Sequence, residues 1–263
     1  MSTLKVIAIV FLSLFLSLSL FIFGFLFTMK MTALNANFVT SQLDSLPVSS
    51  LVDEAELSKI KEENPELADL IENIIIENEA ELKEQAGEAI HTIYDYLKGR
   101  SENLDLALIL KNTILDPYGL EMPSDVDESL EEVESAFGES RRYVGYFNLV
   151  YGLLIGFIVL LIAGIILVYR EVKGATRTLG TIFLVYGIAN IIAVFVARGV
   201  SRPPMERLDV PLSIQTWLTQ LTSSSLTPLL ILAIVLLIVG AVLLTVSFIY
   251  KRRQTPIETE TPL

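Results

Sequence analysis

The sequence predicts an all-α integral membrane protein with four transmembrane helices. A helical extracytoplasmic domain is inserted between helices 1 and 2, and a short β ribbon accompanies it. Two observations lead to this prediction. Half of the chain is hydrophobic, 52% of 263 residues, and much of this lies in uncharged blocks longer than ~18 residues, the length that crosses a bilayer. The acidic residues, by contrast, concentrate in one stretch, where residues 31–143 hold 26 Asp and Glu against 8 Lys and Arg.

The four predicted spans are uncharged along most of their length. They run over Val6–Thr28, Val144–Tyr169, Leu179–Ala197 and Leu226–Tyr250. At ~1.5 Å per residue, each is long enough to cross a hydrocarbon layer of ~30 Å. The apolar core of the first span, Val6–Phe27, exceeds the ~7–15 residues of a signal peptide. We therefore expect an uncleaved anchor.

Basic residues near the span ends predict the orientation. The short hairpin Arg170–Arg177 and the cluster Lys251–Arg253 fall on the same side of the membrane as Lys5. Because cytoplasmic loops are enriched in Lys and Arg, we expect both termini to be cytoplasmic. This orientation gives an anchor (1–30), an acidic extracytoplasmic domain (31–143), a three-helix region (144–250) with an outer loop (199–225), and a cytoplasmic tail (251–263).

Helical patterns dominate the acidic stretch. Asn64-Pro65-Glu66 is typical of a helix start, an apolar repeat of period 3.6 follows to Leu97, and Gly99 predicts the stop. Leucines alternate over residues 104–110, which predicts a strand that could pair with residues 208–212 as the β ribbon. Ser124 begins a further acidic helix, and Gly138 is interpreted as a hinge to the second span.

Small residues recur at helical spacing in the spans. The residues predicted to lie in helix packing are Gly145, Gly152, Gly156, Ala163, Gly180, Gly187, Asn190 and Gly240. Small side chains let membrane helices approach closely. Packing inside a four-helix bundle is the preferred interpretation, and a homodimer face is the alternative. Trp217, the only tryptophan, is predicted to lie at the membrane interface in a short helix.

Catalytic signatures are missing from the sequence. The chain has no cysteine and a single histidine, His91, and it lacks nucleophile-elbow, phosphate-loop and zinc-protease motifs. The acidic run from Asp125 to Glu134 lacks the spacing of an EF-hand. No enzyme activity, cofactor or metal is therefore expected, and the net charge of −12 disfavours nucleic acid as a partner.

Two hypotheses remain for a protein whose first partner is the lipid bilayer. The first is a non-enzymatic scaffold or partner-binding protein that acts through its acidic outer domain. The second is an oligomeric pore or channel subunit, in which the acidic domain forms a vestibule that concentrates cations. Membrane-embedded ionisable residues, which ion-coupled transporters use, do not occur well inside any predicted span.

Overall fold

The computed structural model describes residues 3–47, 78–116, 124–205 and 212–252, and these residues are helical almost throughout. In chain order the helices are α1 (Thr3–Met31), α2 (Ala36–Asp44), α3 (Glu79–Leu97), α4 (Leu106–Leu110) with a π-helical continuation (Lys111–Leu115), α5 (Ser124–Tyr169), α6 (Val172–Met205), α7 (Leu212–Ser225) and α8 (Thr227–Arg252). Within these ranges no residue forms a β-strand.

In the part of the chain that the structure describes, four helical stretches are long and apolar enough to cross a membrane. They are Thr3–Met31, Ser129–Tyr169, Val172–Val200 and Leu212–Ile249. The first three contain the spans predicted from the sequence, and the fourth contains its predicted span up to Ile249, so the prediction of four membrane-length helices is confirmed. A helix suits such sequences because it satisfies every interior backbone N–H and C=O group without water.

The chain divides into two compact units. The first, here called the bundle, contains Met1–Thr28, Val150–Gly199 and Leu226–Leu263. The second, here called the acidic unit, contains Met29–Leu149 and Val200–Ser225.

The bundle packs its apolar helices around one buried cluster. Its members come from α1, α5 and α6: Leu16, Leu20, Leu161, Ile165, Leu179, Phe183 and Tyr186. The Tyr186 hydroxyl donates a hydrogen bond of 2.7 Å to the backbone carbonyl of Leu20. Gly24 leaves room for this tyrosine, since a Cβ at that position would overlap the Tyr186 hydroxyl. A side chain of α6 is thus bonded directly to the backbone of α1.

Three glycines bring α6 and α8 into close contact. A Cβ placed on Gly180 would lie 2.9 Å from the carbonyl oxygen of Gly240, and one on Gly187 would lie 2.8 Å from that of Ala233. A Cβ on Gly240 would lie 2.7 Å from the backbone nitrogen of Leu184. These separations are too short for any side chain, so the two backbones touch only because glycine occupies these sites.

In the acidic unit, α2 packs antiparallel to α3. The Tyr94 hydroxyl donates to the carbonyl of Ala33, and the Lys83 ammonium donates to that of Asp44 at 3.0 Å. Burial raises the pKa of Tyr94 above its ordinary value, which keeps the hydroxyl protonated as a donor. On α7, the Trp217 indole N–H donates to the carbonyl of Gln42 at 3.0 Å.

Two local predictions are wrong and one is confirmed. Residues 106–110 form α4 rather than a strand, because Asp105 caps them as a helix by accepting from the Leu108 N–H at 2.7 Å, and leucine is a strong helix former. The helix α5 runs through Gly138 without a break, so no hinge exists there. Gly99 does end α3, with φ of +74°. The predicted helix start at Asn64, most of the predicted ribbon partner and most of the tail lie outside the described residues.

Close α6–α8 packing yields a stability prediction with a matched control. Gly240→Ala is expected to lower the free energy of unfolding by about 1–3 kcal/mol, because the new methyl overlaps the α6 backbone. Gly152→Ala should be neutral or slightly stabilising, since a Cβ there meets no atom within 4 Å and alanine favours the helix. Denaturant titration in mixed micelles measures both. Equal losses in the two variants would contradict the contact.

Candidate functional site

The acidic unit contains an open groove of about 960 Å³. Its walls come from the C-terminal end of α3, the segment that follows it, and the N-terminal half of α5. The lining residues are Tyr96, Glu102, Asn103, Leu104, Asp105, Glu131, Glu134, Ser135, Gly138, Glu139, Arg142 and Tyr143. Five carboxylates and one guanidinium therefore face the same space, which gives the groove a negative field.

One wall of the groove is shaped by the way α3 ends. Gly99 takes the left-handed conformation, its N–H donates to the carbonyl of Tyr96 at 2.9 Å, and the next N–H, from Arg100, donates to that of Asp95 at 2.8 Å. This pair of bonds is a Schellman motif, which satisfies the last helical carbonyls and turns the chain sharply. The Arg100 side chain also pairs with the Asp95 carboxylate at 3.2 Å. The segment that carries Glu102 and Asp105 is thereby directed away from the α3 axis.

Arg141 connects this segment to α5. Its guanidinium lies 4.9 Å from the centre of the Tyr96 ring, a cation–π geometry, and its Nη1 donates to the carbonyl of Glu102 at 3.3 Å. Gly138, one turn earlier on α5, faces the Tyr96 hydroxyl, which would lie 3.5 Å from a Cβ at that position. The small residue that was interpreted as a hinge therefore lies beside the Tyr96 hydroxyl in the groove wall.

Two of the five groove carboxylates have structural partners. Asp105 caps α4, and the Glu134 carboxylate accepts a hydrogen bond from the Leu106 N–H. The other three, Glu102, Glu131 and Glu139, neither accept a side-chain hydrogen bond from any described residue nor form an ion pair with one. Within the part of the chain that the structure describes, these three carboxylates are therefore available to a ligand. Three carboxylates spread around a groove of this size suit a cationic partner with several charges along its length.

Candidate metal ligands and the single histidine were located relative to the groove. Among the described residues no group of three or more His, Asp or Glu side chains is arranged to hold a metal ion. His91 is exposed on α3 and does not line the groove.

The residues predicted for helix packing divide into two sets. Gly180, Gly187 and Gly240 form the α6–α8 contact described above. On α5, a Cβ at Gly145, Gly152 or Gly156 would meet no atom within 4 Å, and Ala163 is exposed. Among the described residues, none therefore packs closely against these three glycines.

Asn190 lies in the bundle beside a second cavity. Its side chain is only 9% exposed, and its Nδ2 donates to the carbonyl of Tyr186 at 2.9 Å, one turn back on α6. The cavity, about 510 Å³, runs between α1 and α6 and is lined mainly by apolar side chains, with Ser17 and Thr181 among them. The hydroxyls of Ser17 and Thr181 both bond to carbonyls of their own helices, so this cavity offers few free polar groups.

Sequence analysis missed several residues that shape these sites. Arg141 and Tyr96 organise the groove, Tyr186 bonds α6 to α1, and Gly164 faces Leu12 of α1, which would lie 3.5 Å from a Cβ at that glycine. One signal was present, because Arg141 and Arg142 interrupt an otherwise acidic stretch.

No protein-family model matches this chain, nor does any curated protein or any solved structure. Function is therefore inferred from the geometry of the chain itself. Its best-formed feature is the acidic groove with three available carboxylates.

Proposed function

We propose that this protein is a non-enzymatic membrane scaffold that binds a positively charged protein segment in the groove of its acidic unit. The observation that carries the proposal is the groove itself, with five carboxylates against one arginine. The size of the groove, about 960 Å³, suits a peptide segment rather than a single ion. The absence of cysteine from the sequence and the exposed position of His91 support a binding role over catalysis.

The groove matches an extended basic segment in both charge and spacing. Glu131, Ser135 and Glu139 follow one another at intervals of four residues along α5, so the two carboxylates flank a polar strip on one helix face. Glu102 provides a third charge from the opposite wall. Lys or Arg side chains of a partner could reach these carboxylates, and its backbone would lie along the strip. Such complementarity gives specificity and a fast, salt-dependent association.

The proposal includes the orientation in the membrane. With both termini in the cytoplasm, the acidic unit lies outside, where it meets secreted or membrane-anchored partners. The distribution of basic residues around Arg170–Arg177 supports this orientation.

A second candidate function is an oligomeric pore or channel subunit. It is favoured by the open α5 face that contains Gly152, Gly156 and Ala163, which no described residue covers closely. Small residues on such a face permit close approach of a helix from a second copy. A pore further requires polar groups that face a lumen.

A peptide-binding measurement tests the scaffold proposal. The full chain in lipid nanodiscs should bind a fluorescent ten-residue Lys/Arg-rich peptide, and should not bind the same peptide with Glu at the basic positions. Glu131→Gln and Glu139→Gln should each weaken binding by roughly two- to fivefold, since each removes one partly solvated charge contact. The control is Glu132→Gln, which changes the same charge on the same helix at an exposed position outside the groove lining. If all three variants lose the same affinity, the binding reflects overall charge and the groove is not the site.

Cysteine labelling tests the orientation. Because the natural chain has no cysteine, Ser129→Cys and Thr255→Cys each introduce a single reporter thiol. In intact cells, an impermeant maleimide should label position 129 and leave 255 unlabelled until the membrane is permeabilised. Labelling at 255 alone would invert the topology and move the partner search to the cytoplasm.

Cross-linking and ion flux separate the two candidate functions. Ala163→Cys should form a disulfide-linked dimer under mild oxidation if the open α5 face is an oligomer contact, and Phe183→Cys, which points into the buried cluster, serves as the control. Purified wild-type protein in liposomes is expected to pass no ions if it is a scaffold. Efficient cross-linking at 163 together with cation flux would instead establish the pore.

A further inference from the structure

One end of the bundle carries a cluster of positive charge. Arg170 lies in the turn between α5 and α6, and Lys173 and Arg177 follow on the first turns of α6. Lys5, near the start of α1, belongs to the same end. The nearest acid in sequence is Glu171, so four cations face one carboxylate.

The packing of the helices places these residues together. Gly164 of α5 faces Leu12 of α1, and Phe23 of α1 stacks on Tyr151 of α5 at 5.6 Å, so the two helices are antiparallel. The N-terminal end of α1 therefore lies at the level where α5 ends. On the other side, the Ser247 hydroxyl donates to the carbonyl of Lys173 at 3.1 Å and holds α8 against the same end of α6. Residues 251 and 252 close α8 there with two more basic residues.

The turn that bears Arg170 is tight. The helix α5 ends at Tyr169, and α6 begins at Val172. Between them, Arg170 has a φ of +54°, and it is the one described residue other than glycine with a positive φ. The Tyr169 ring packs against Gly174, and its hydroxyl lies 2.7 Å from that of Thr178. The cations at this end are therefore mounted on a fixed turn rather than on a long loop.

These charges are not neutralised within the described chain. Neither Lys5, Arg170, Lys173 nor Arg177 forms an ion pair with any described residue. Lys173 and Arg177 are four residues apart on one helix, a spacing at which like charges repel. The positive end of the α6 dipole lies at the same place and adds to the effect. An external anion at this end would pair with the cations, reduce the repulsion between Lys173 and Arg177, and interact favourably with the helix dipole.

We propose that this end of the bundle binds the phosphodiester headgroup of an anionic membrane lipid. Two exposed apolar residues flank the cluster, Leu167 at 72% exposure and Val172 at 54%. A lipid satisfies both features in one molecule, because its acyl chains cover the apolar side chains while its phosphate meets the cations. Basic residues between membrane helices bind anionic headgroups in this way. The proposal rests on the apolar helices being in a bilayer, and it is independent of the groove and its partner.

Native mass spectrometry of the full chain in detergent tests the proposal by measuring the Kd of the first bound lipid. Phosphatidylglycerol should bind several-fold more tightly than phosphatidylcholine with the same acyl chains. Arg177→Gln should weaken phosphatidylglycerol binding by about fivefold, which corresponds to about 1 kcal/mol, and should leave phosphatidylcholine unaffected. Arg177→Lys keeps the charge and should retain most of the affinity. Glu171→Gln removes the opposing carboxylate and should strengthen binding.

The controls make each outcome decisive. Lys111→Gln, which removes an exposed cation of the acidic unit, should leave lipid binding unchanged. Equal Kd values for the two lipids, or an effect of Lys111→Gln equal to that of Arg177→Gln, would overturn the proposal. If circular dichroism shows that Arg177→Gln does not fold, the test rests on Glu171→Gln. Tighter phosphatidylglycerol binding by that variant supports the proposal, and unchanged binding overturns it. Glycerol phosphate at millimolar concentration should not displace phosphatidylglycerol. If it binds to the same extent as the lipid and displaces it, the site is a soluble-phosphate site and the lipid assignment is refuted.

Discussion

The contact between α6 and α8 is the constraint on which the bundle depends. In hydrocarbon, helices gain little from the hydrophobic effect when they associate, so close packing supplies much of the attraction. Gly180, Gly187 and Gly240 allow the two backbones to touch. The adjoining face of α6 contributes Phe183 and Tyr186 to the buried cluster that it shares with α1 and α5. The helix α6 is thus the central element, with a glycine face toward one neighbour and an aromatic face toward the others.

In the acidic unit the main constraint is electrostatic, because its many carboxylates repel one another. Its few basic side chains form hydrogen bonds to main-chain carbonyls as well as ion pairs. Lys83 bonds the carbonyl of Asp44, and Arg141 bonds that of Glu102 while stacking on Tyr96. Carboxylates contribute in the same way, since Asp105 and Glu134 both accept from backbone N–H groups of α4. Charged side chains thus stabilise this part of the chain locally through contacts with its backbone.

Strong local patterns in the sequence predicted the helices. Contacts between residues that are far apart in the sequence could not be predicted from it. Uncharged apolar runs identified the four membrane-length helices, and Gly99 identified the end of α3. The alternation of leucines over 104–110 was misleading because Asp105 is also a good helix cap, and one capping bond decides between the two structures. The groove could not be predicted, since Arg141 and Glu102 are 39 residues apart and meet only through the fold. The spacing of the glycines also could not show which of them contact a neighbouring helix. Gly152 and Gly180 belong to similar stripes of small residues, but only Gly180 lies against another backbone.

The hydrogen bond from Tyr186 to Leu20 joins residues 166 positions apart. At a synthesis rate of about 5–20 residues per second, α6 emerges roughly 8–33 s after its partner carbonyl. Until α5 and α6 have been synthesised, the face of α1 that carries Leu16 and Leu20 lacks the partners that bury it in the finished bundle. The first helix is therefore made long before the α5 and α6 side chains that bury this face, and α8, which follows α6 in the chain, makes its glycine contacts later still.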